Sequence, residues 1–250
     1  MHSEKQTATP VGGQQPTRAP GAKSLEARVS SFYRTALLID GAWFSKALGV
    51  LLNVTWPKAA DVYHSAASIL EPNEHLYRIF FYESKPCDSS IRNPLTNKTV
   101  NLAQEPAFSA RTRFFSELGC MPFVALRRGE AKFRGWSLRD DFSKKIMQNK
   151  SSPITSNDIR MEFTQKGVDM RIGIDVATLA LKRLVDRIII FTGDTDMVPA
   201  IKLARTEGVQ VGVVQVGTWN LQNALVEDSD FIRTIKPCPQ SARNRHKPRP

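Results

Sequence analysis

Residues 188–196 read IIIFTGDTD, an apolar run that passes directly into a glycine-containing loop with two carboxylates, Asp194 and Asp196. A helix-like segment, 197–207, and a second β-rich run, 209–214, follow the loop. A strand, a loop, an amphipathic helix and another strand together indicate a βαβ unit. Ligands of open α/β sheets bind at the carboxyl ends of the parallel strands, so the two aspartates are predicted to lie at a binding edge.

The close spacing of Asp194 and Asp196 favours a bound cation. Two like charges this close repel each other, and a hard divalent ion such as Mg²⁺ or Mn²⁺ relieves that repulsion with the oxygen ligands it prefers. The same residue types also cap helices and form turns, and the segment taken alone is more typical of a capped turn than of a metal site. The other acids of the chain must therefore decide between the two interpretations.

Alternating apolar runs and helical patterns predict an α/β fold, a three-layer α/β/α sandwich around a mostly parallel central sheet. The runs that we interpret as strands are 36–39, 76–82, 122–126, 188–191, 209–214 and an edge strand at 231–235. The helical patterns between them are 43–50, 58–70, 106–118, 168–183, 197–207 and 221–227.

One domain is predicted over residues 31–236, with an N-terminal segment before it and a tail behind it. Residues 1–30 contain almost no large apolar side chains, so they are predicted to be disordered, as is the basic tail 237–250. Segment 83–104 is interpreted as a long loop, and 135–165 as an insertion or a mobile lid.

The charge and cysteine content narrow the class of protein. The formal net charge is +11, of which residues 1–30 contribute +2 and residues 233–250 contribute +6, so much of the basicity suits nonspecific attraction to phosphate by a tail. The three cysteines are far apart, which indicates neither a zinc site nor a disulfide framework and favours the cytoplasm. No apolar run approaches the roughly 18 residues of a membrane span, and no signal peptide is evident.

Asp40 repeats the pattern of the deciding stretch. It ends the apolar run 36–39 and precedes Gly41, which alone would indicate a plain β-turn. Parallel central strands end at the same edge of a sheet, so Asp40 is expected to meet Asp194 and Asp196 there.

A further acid, Asp169, lies in the first turn of the predicted helix 168–183. Acids favour helix N-termini through the helix dipole, yet the face that Asp169 shares carries small and apolar residues, so its side chain is expected to point toward the sheet. Asp175 is six residues further on and is rotated by about 240° from Asp169. We interpret Asp175 as an exposed or ion-paired residue.

In this order, the motifs resemble those of a known family. Leu-Ile-Asp-Gly at 38–41, Lys-Gly-Val-Asp at 166–169 with Asp175 behind it, and Thr-Gly-Asp-Thr-Asp-Met-Val-Pro at 192–199 resemble NYN domains, the LabA-like branch of the PIN-like nuclease superfamily. The resemblance extends over residues 34–236.

The resemblance implies a PIN-like (Rossmann-like) fold and a Mg²⁺- or Mn²⁺-dependent site that cuts RNA, as an endoribonuclease would. Transferred motif by motif, the metal-binding acids are Asp40, Asp169, Asp194 and Asp196. Asp175 occupies a recurrent acid position of the family and is a second-tier metal-ligand candidate. Where family members usually carry Asn, this chain has Trp43, which cannot supply that polar contact but can stack on a base.

Five other residues are candidates for contacts to the substrate. Thr192 and Thr195 are placed to hydrogen-bond a carboxylate or the attacking water. Lys166, Arg127 and Arg128 are candidate phosphate contacts, and each is equally consistent with a solvated surface charge.

Two other interpretations compete with a metal-dependent ribonuclease. A haloacid-dehalogenase-type phosphatase requires a second acid two residues after Asp40, where the chain has Ala42, and an acid near Val198, so that class is excluded. A catalytically inactive RNA-binding or scaffolding module of the same fold stays open, as do single-stranded DNA as the substrate and a homodimer as the oligomeric state.

Overall fold

The computed structural model describes residues 32–148 and 153–236. The segments 1–30 and 237–250, which the sequence predicts to be disordered, lie outside the described residues. None of the helices in the described ranges combines the length and apolar character that a membrane span requires.

Seven strands form the central sheet and two more form a small hairpin. The sheet strands are β1 (Tyr33–Asp40), β2 (Glu74–Lys85), β5 (Val124–Leu138), β6 (Ile159–Lys166), β7 (Arg187–Phe191), β8 (Gln210–Val216) and β9 (Phe231–Ile235). The hairpin strands are β3 (Ser90–Arg92) and β4 (Thr99–Asn101). The sheet order is β6-β5-β2-β1-β7-β8-β9, and every neighbouring pair is parallel except β5 with β6.

Helices cover both faces of this sheet, which confirms the predicted α/β sandwich with a mostly parallel sheet. The helices are α1 (Gly41–Leu52), α2 (Ala59–Ala67), α3 (Pro106–Gly119), α4 (Asp140–Met147), α5 (Val168–Leu181), α6 (Val198–Thr206) and α7 (Asn223–Glu227). Helices α1, α2 and α3 pack in one apolar cluster, and α5, α6 and α7 pack in the other.

The central strands are apolar on both sides because helices bury both sides. In β1, Leu37 and Ile39 join the α1–α3 cluster, whereas Ala36 and Leu38 join the α5–α7 cluster. All five residues of β7 are buried. Continuous apolar runs of this kind mark parallel strands that are covered on both faces, which is why these elements are readable from the sequence.

Two segments differ from the irregular structure that the sequence suggests. Segment 83–104 contains the end of β2 and the β3–β4 hairpin. Within segment 135–165, β5 and β6 form the two strands of a long antiparallel hairpin, with α4 between them. A register shift between Phe133 and Gly135 interrupts the alternation of β5, and such a bulge hides the period of two by which a strand is recognised.

Candidate active site

Asp40 occupies the junction of β1 and α1. Its Oδ1 accepts hydrogen bonds from the backbone N–H groups of Ala42 (3.1 Å) and Trp43 (3.2 Å), so the carboxylate caps the helix N-terminus. Burial raises the pKa of Asp40 despite these two bonds, and the negative charges of Asp169 and Asp194 raise it further. The site therefore holds a carboxylate that is costly to ionise without a cation.

Asp194 and Asp196 follow β7, the strand next to β1. Ile39 is in register with Phe191, so Asp40 and the loop after β7 emerge at the same level of the sheet. The backbone N–H of Asp194 donates to Thr192 Oγ1 (3.0 Å), and the N–H of Asp196 donates to Asp194 Oδ1 (2.9 Å). These bonds shape the loop, and both aspartates remain exposed to solvent.

Asp169 lies in the first turn of α5. Burial raises the pKa of Asp169, and the negative charges of Asp194 and Asp196 raise it further. Asp169 is nevertheless exposed, whereas its helix packs through Val168 and Ile172. The orientation of the Asp169 side chain toward the sheet stays a prediction.

The four acids form a negative patch without a counter-ion from the protein. In the described ranges, none of these four side chains takes part in an ion pair. Nor do any three His, Cys, Asp or Glu side chains there stand ready-made around a metal position. The donor set of carboxylate oxygens with unrelieved repulsion suits Mg²⁺ or Mn²⁺.

Glu83 is an additional acid of this edge that the sequence interpretation did not include. It follows Tyr82, which is in register with Asp40, and it is largely buried. Its carboxylate is paired with Arg111, whose guanidinium packs over Phe114 at 4.3 Å from the ring centroid. The signal for Glu83 was present, since it also follows an apolar strand run.

Three forces set the ionisation of Glu83. Burial raises its pKa, the Arg111 guanidinium lowers it, and the charge of Asp40 raises it again, with a net upward shift. Gly41 makes this approach to Asp40 possible, because a Cβ there would lie 2.7 Å from Glu83 Oε2. Glu83 and Arg111 therefore border the four-acid patch as a buried ion pair.

Asp175 lies in a separate polar group on the face of the sheet covered by α5. Its Oδ2 accepts hydrogen bonds from Tyr82 Oη and Arg127 Nε, both at 2.8 Å. Burial and the Asp175 carboxylate raise the pKa of Tyr82. Asp175 is thus ion-paired with Arg127. Its role as a second-tier metal ligand stays a prediction.

The remaining candidates differ in how far their side chains are exposed to solvent. Arg128 and Lys166 are exposed, whereas Thr192 is buried beneath the loop and Thr195 is half-buried in the single 3-10 turn that follows it. Trp43 is half-buried against Trp219, with ring centroids 6.3 Å apart.

Comparison with known proteins finds a family likeness for part of the chain. The family model described as "NYN domain" matches residues 125–235, a segment that contains Asp169, Asp175, Asp194 and Asp196 but not Asp40. No curated protein matches the chain. One solved structure, that of a protein of unknown function from Vibrio parahaemolyticus RIMD 2210633, is similar at 14% identity and a TM-score of 0.44, covering 82% of this chain and 94% of that one.

Proposed function

We propose that this protein is a metal-dependent ribonuclease that hydrolyses RNA phosphodiester bonds. The match of residues 125–235 to the NYN domain, a family of PIN-like nuclease domains, supports the nuclease class. The observation that carries the proposal is the mutual charge repulsion of Asp40, Asp169, Asp194 and Asp196, none of which has an ion-pair partner in the described ranges, together with the register that brings the ends of β1 and β7 to one edge of the sheet. A carboxylate cluster repels phosphate, so it benefits an RNA-binding protein only when a cation stands between the two.

Four carboxylates would hold the ion, and Mg²⁺ or Mn²⁺ is the cation that suits them. When bound, such an ion lowers the pKa of a water molecule and neutralises charge on the phosphate oxygens. The residues of the chain hold these carboxylates in position. The two N–H donors of α1 hold Asp40 in place, and Thr192 fixes the backbone of the loop that carries Asp194 and Asp196.

Lys166 and Arg128 are proposed to contact the RNA backbone beside this site. Both are exposed and neither forms an ion pair within the described part of the chain, so their charges are free to attract phosphate. Arg127 is a weaker candidate, since its guanidinium is already bound to Asp175. The three widely spaced cysteines accord with action in the cytoplasm.

An inactive RNA-binding module is the second candidate function. Trp43 favours it, because it replaces the Asn that the family resemblance leads us to expect. Against it stand the four retained acids, whose mutual repulsion serves no purpose in a protein that binds phosphate without a metal.

End-labelled RNA, structured and unstructured, incubated with Mn²⁺, Mg²⁺ or EDTA tests the proposal. We expect cleavage that requires the metal and is lost in Asp194→Asn. The matched control is Asp228→Asn, which alters a partly exposed ion pair with Lys202 and leaves the four acids intact. RNA binding without cleavage under either metal would overturn the nuclease and favour the inactive module, and a single-stranded DNA substrate in parallel decides between the two nucleic acids.

A further inference from the structure

The β5–β6 hairpin extends the sheet past the edge at which the acids lie. The pairing of β2 with β5 ends at Lys85 with Glu130, and from there β5 pairs only with β6, as far as Leu138 with Ile159. We call residues 131–138 and 159–165 the arm. The strand β6 runs back along it to Lys166, three residues before Asp169, so the base of the arm adjoins the four-acid patch.

An aromatic surface covers one face of the arm. Phe133 and Phe163 stand directly opposite each other, with ring centroids 5.9 Å apart. The register shift after Phe133 brings Trp136 to the same face, and its ring meets Phe133 edge-on at 6.2 Å. Phe163 is 43% exposed, and the other two rings are half-buried. Three large rings on a two-stranded arm form an apolar patch in contact with solvent, and such patches commonly mark binding sites.

Cationic groups share a cleft with these rings. A cleft of ≈ 670 Å³ is lined by Phe133 and Trp136 together with Arg92 and Lys132, although Asp88 also borders it. Trp136 Nε1 donates to the carbonyl of Arg92 (3.1 Å), so the β3–β4 hairpin fixes the indole ring in place. Rigid aromatic rings beside cationic groups are the means by which proteins bind single-stranded nucleic acid, since every base has a face that can stack.

A second cleft lies between the base of the arm and the Glu83–Arg111 ion pair. It measures ≈ 710 Å³, and its lining includes Glu83, Arg111, the exposed Trp56 and Gln165 of the arm. Gln165 and Phe163 are two residues apart on β6, and side chains at that spacing lie on the same face of a strand. Three residues of strand separate Phe163 from Lys166, about 10 Å. The aromatic surface therefore begins within a few nucleotides of the site.

We propose that the arm binds the single-stranded part of an RNA substrate by stacking unpaired bases on Phe133, Trp136 and Phe163. This inference rests on the proposed function for its substrate, and it goes further by assigning the specificity for unpaired RNA to these rings. Double-stranded RNA keeps its bases stacked inside the helix, so it gains nothing from the rings. The cations of the cleft favour RNA over an apolar protein partner on this face.

The test is the affinity of the full-length chain for fluorescently labelled RNA, measured by anisotropy in EDTA, where metal-dependent cleavage does not occur. An unstructured oligonucleotide is compared with a duplex of the same length. We expect the wild type to prefer the unstructured RNA, and Phe163→Leu to reduce that affinity about tenfold, because it removes the ring and keeps an apolar side chain. Phe163→Tyr, which keeps the ring, is the matched control and is expected to bind like the wild type.

Unchanged affinity in both Phe163→Leu and Phe133→Leu, with thermal unfolding as in the wild type, would overturn the inference. A fall in molar mass in Phe163→Leu, measured by light scattering, would also overturn it by showing that the arm joins two copies of the chain. The proposed nuclease activity can be contradicted independently of the arm. If Asp194→Asn and the wild type are equally inactive while Phe163→Leu loses RNA affinity, RNA binding by the arm is supported and the nuclease activity is contradicted.

Discussion

The indole ring of Trp43 lies directly against Gly193, so closely that a methyl group at position 193 would overlap the ring. Gly193 belongs to the loop that carries Asp194 and Asp196, and Trp219 closes on the same indole from another side. The residue that the sequence interpretation assigned to base stacking is thus also a support of the acid-bearing loop. Stacking of a base on its exposed part stays a prediction.

Gly193→Ala is expected to displace this loop and to abolish metal-dependent cleavage, with a loss of about 1–3 kcal/mol in the free energy of unfolding, because the added carbon would overlap the Trp43 ring. Chemical denaturation and the RNA cleavage assay measure the two effects. Gly173→Ala in α5 is the control. Its Cβ would meet nothing within 4 Å, so full activity and unchanged or higher stability are expected. Equal behaviour of the two variants would contradict the close contact.

Glu83→Gln is expected to weaken Mn²⁺ binding several-fold. The change removes a negative charge near Asp40 and leaves the Arg111 guanidinium unopposed beside the site. Calorimetric titration with Mn²⁺ measures the affinity. Glu130→Gln, which alters only an exposed pair with Lys132, is expected to leave the affinity unchanged. An unchanged affinity in Glu83→Gln would show that this carboxylate has no influence on the ion.

Asp40 makes the metal-free protein less stable as the pH rises. The pKa of Asp40 is higher in the folded state than in the unfolded chain. Below the unfolded pKa the carboxyl is neutral and does not lower the free energy of unfolding. As the pH rises through the folded pKa the carboxyl ionises and stability is lost. Asp40→Asn cannot ionise, and its side-chain oxygen can still cap α1. In EDTA at pH 7 we expect the free energy of unfolding of this variant to be about 1 kcal/mol higher than that of the wild type. The variant would thus gain stability and lose function.

The contrast between the two proteins should disappear in acid. Thermal unfolding from pH 4 to pH 8, with EDTA and then with Mn²⁺, measures it. At a pH below the usual pKa range of carboxyl groups, the wild type and Asp40→Asn should unfold at the same temperature. At higher pH, Mn²⁺ should raise the unfolding temperature of the wild type only. A wild type that is more stable than Asp40→Asn at pH 7 without metal would contradict the unfavourable charge.

Glu74 anchors the opposite end of the sheet from the acids. Its buried carboxylate binds Arg187 at 2.5 Å and Arg233 at 2.6 Å, and these two residues belong to β7 and β9. Burial alone would raise the pKa of Glu74, but hydrogen bonds from Arg233, the Glu71 backbone and Arg187 outweigh it and lower the pKa. The stability that Glu74 contributes is present when the pH is above the pKa of Glu74 in the unfolded chain. It is lost as the pH falls through the lower pKa of Glu74 in the folded protein.

Glu74→Gln is expected to lower the free energy of unfolding by about 3–5 kcal/mol at pH 7, because two buried guanidinium groups lose the buried carboxylate that binds both and keep only the exposed Glu71. Urea unfolding measures the change, and the difference from the wild type should shrink in acid. Glu71→Gln is the control, since Glu71 is half-exposed and its pairs should be worth at most about 1 kcal/mol. Similar losses of unfolding free energy in Glu74→Gln and Glu71→Gln would contradict the special contribution of the buried Glu74 carboxylate.

Local sequence determined the layered fold and the strand ends at which the acids of the proposed site lie. Strands such as β1 and β7 are covered on both faces, so they appear as continuous apolar runs that need no knowledge of their partners. Acids that follow such runs must meet at one edge when the strands are parallel. That rule predicted where Asp40, Asp194 and Asp196 lie, and it applies equally to Glu83.

Tertiary structure alone decided which polar groups pair and which rings share a surface. Arg127 and Asp175 are 48 positions apart, and their pairing depends on how β5 crosses α5 rather than on any helical spacing. Phe133 and Trp136 are three residues apart, a spacing that a regular strand would place on opposite faces, and only the bulge brings them together. Side-chain partners and register are long-range properties, and local periodicity carries no record of them.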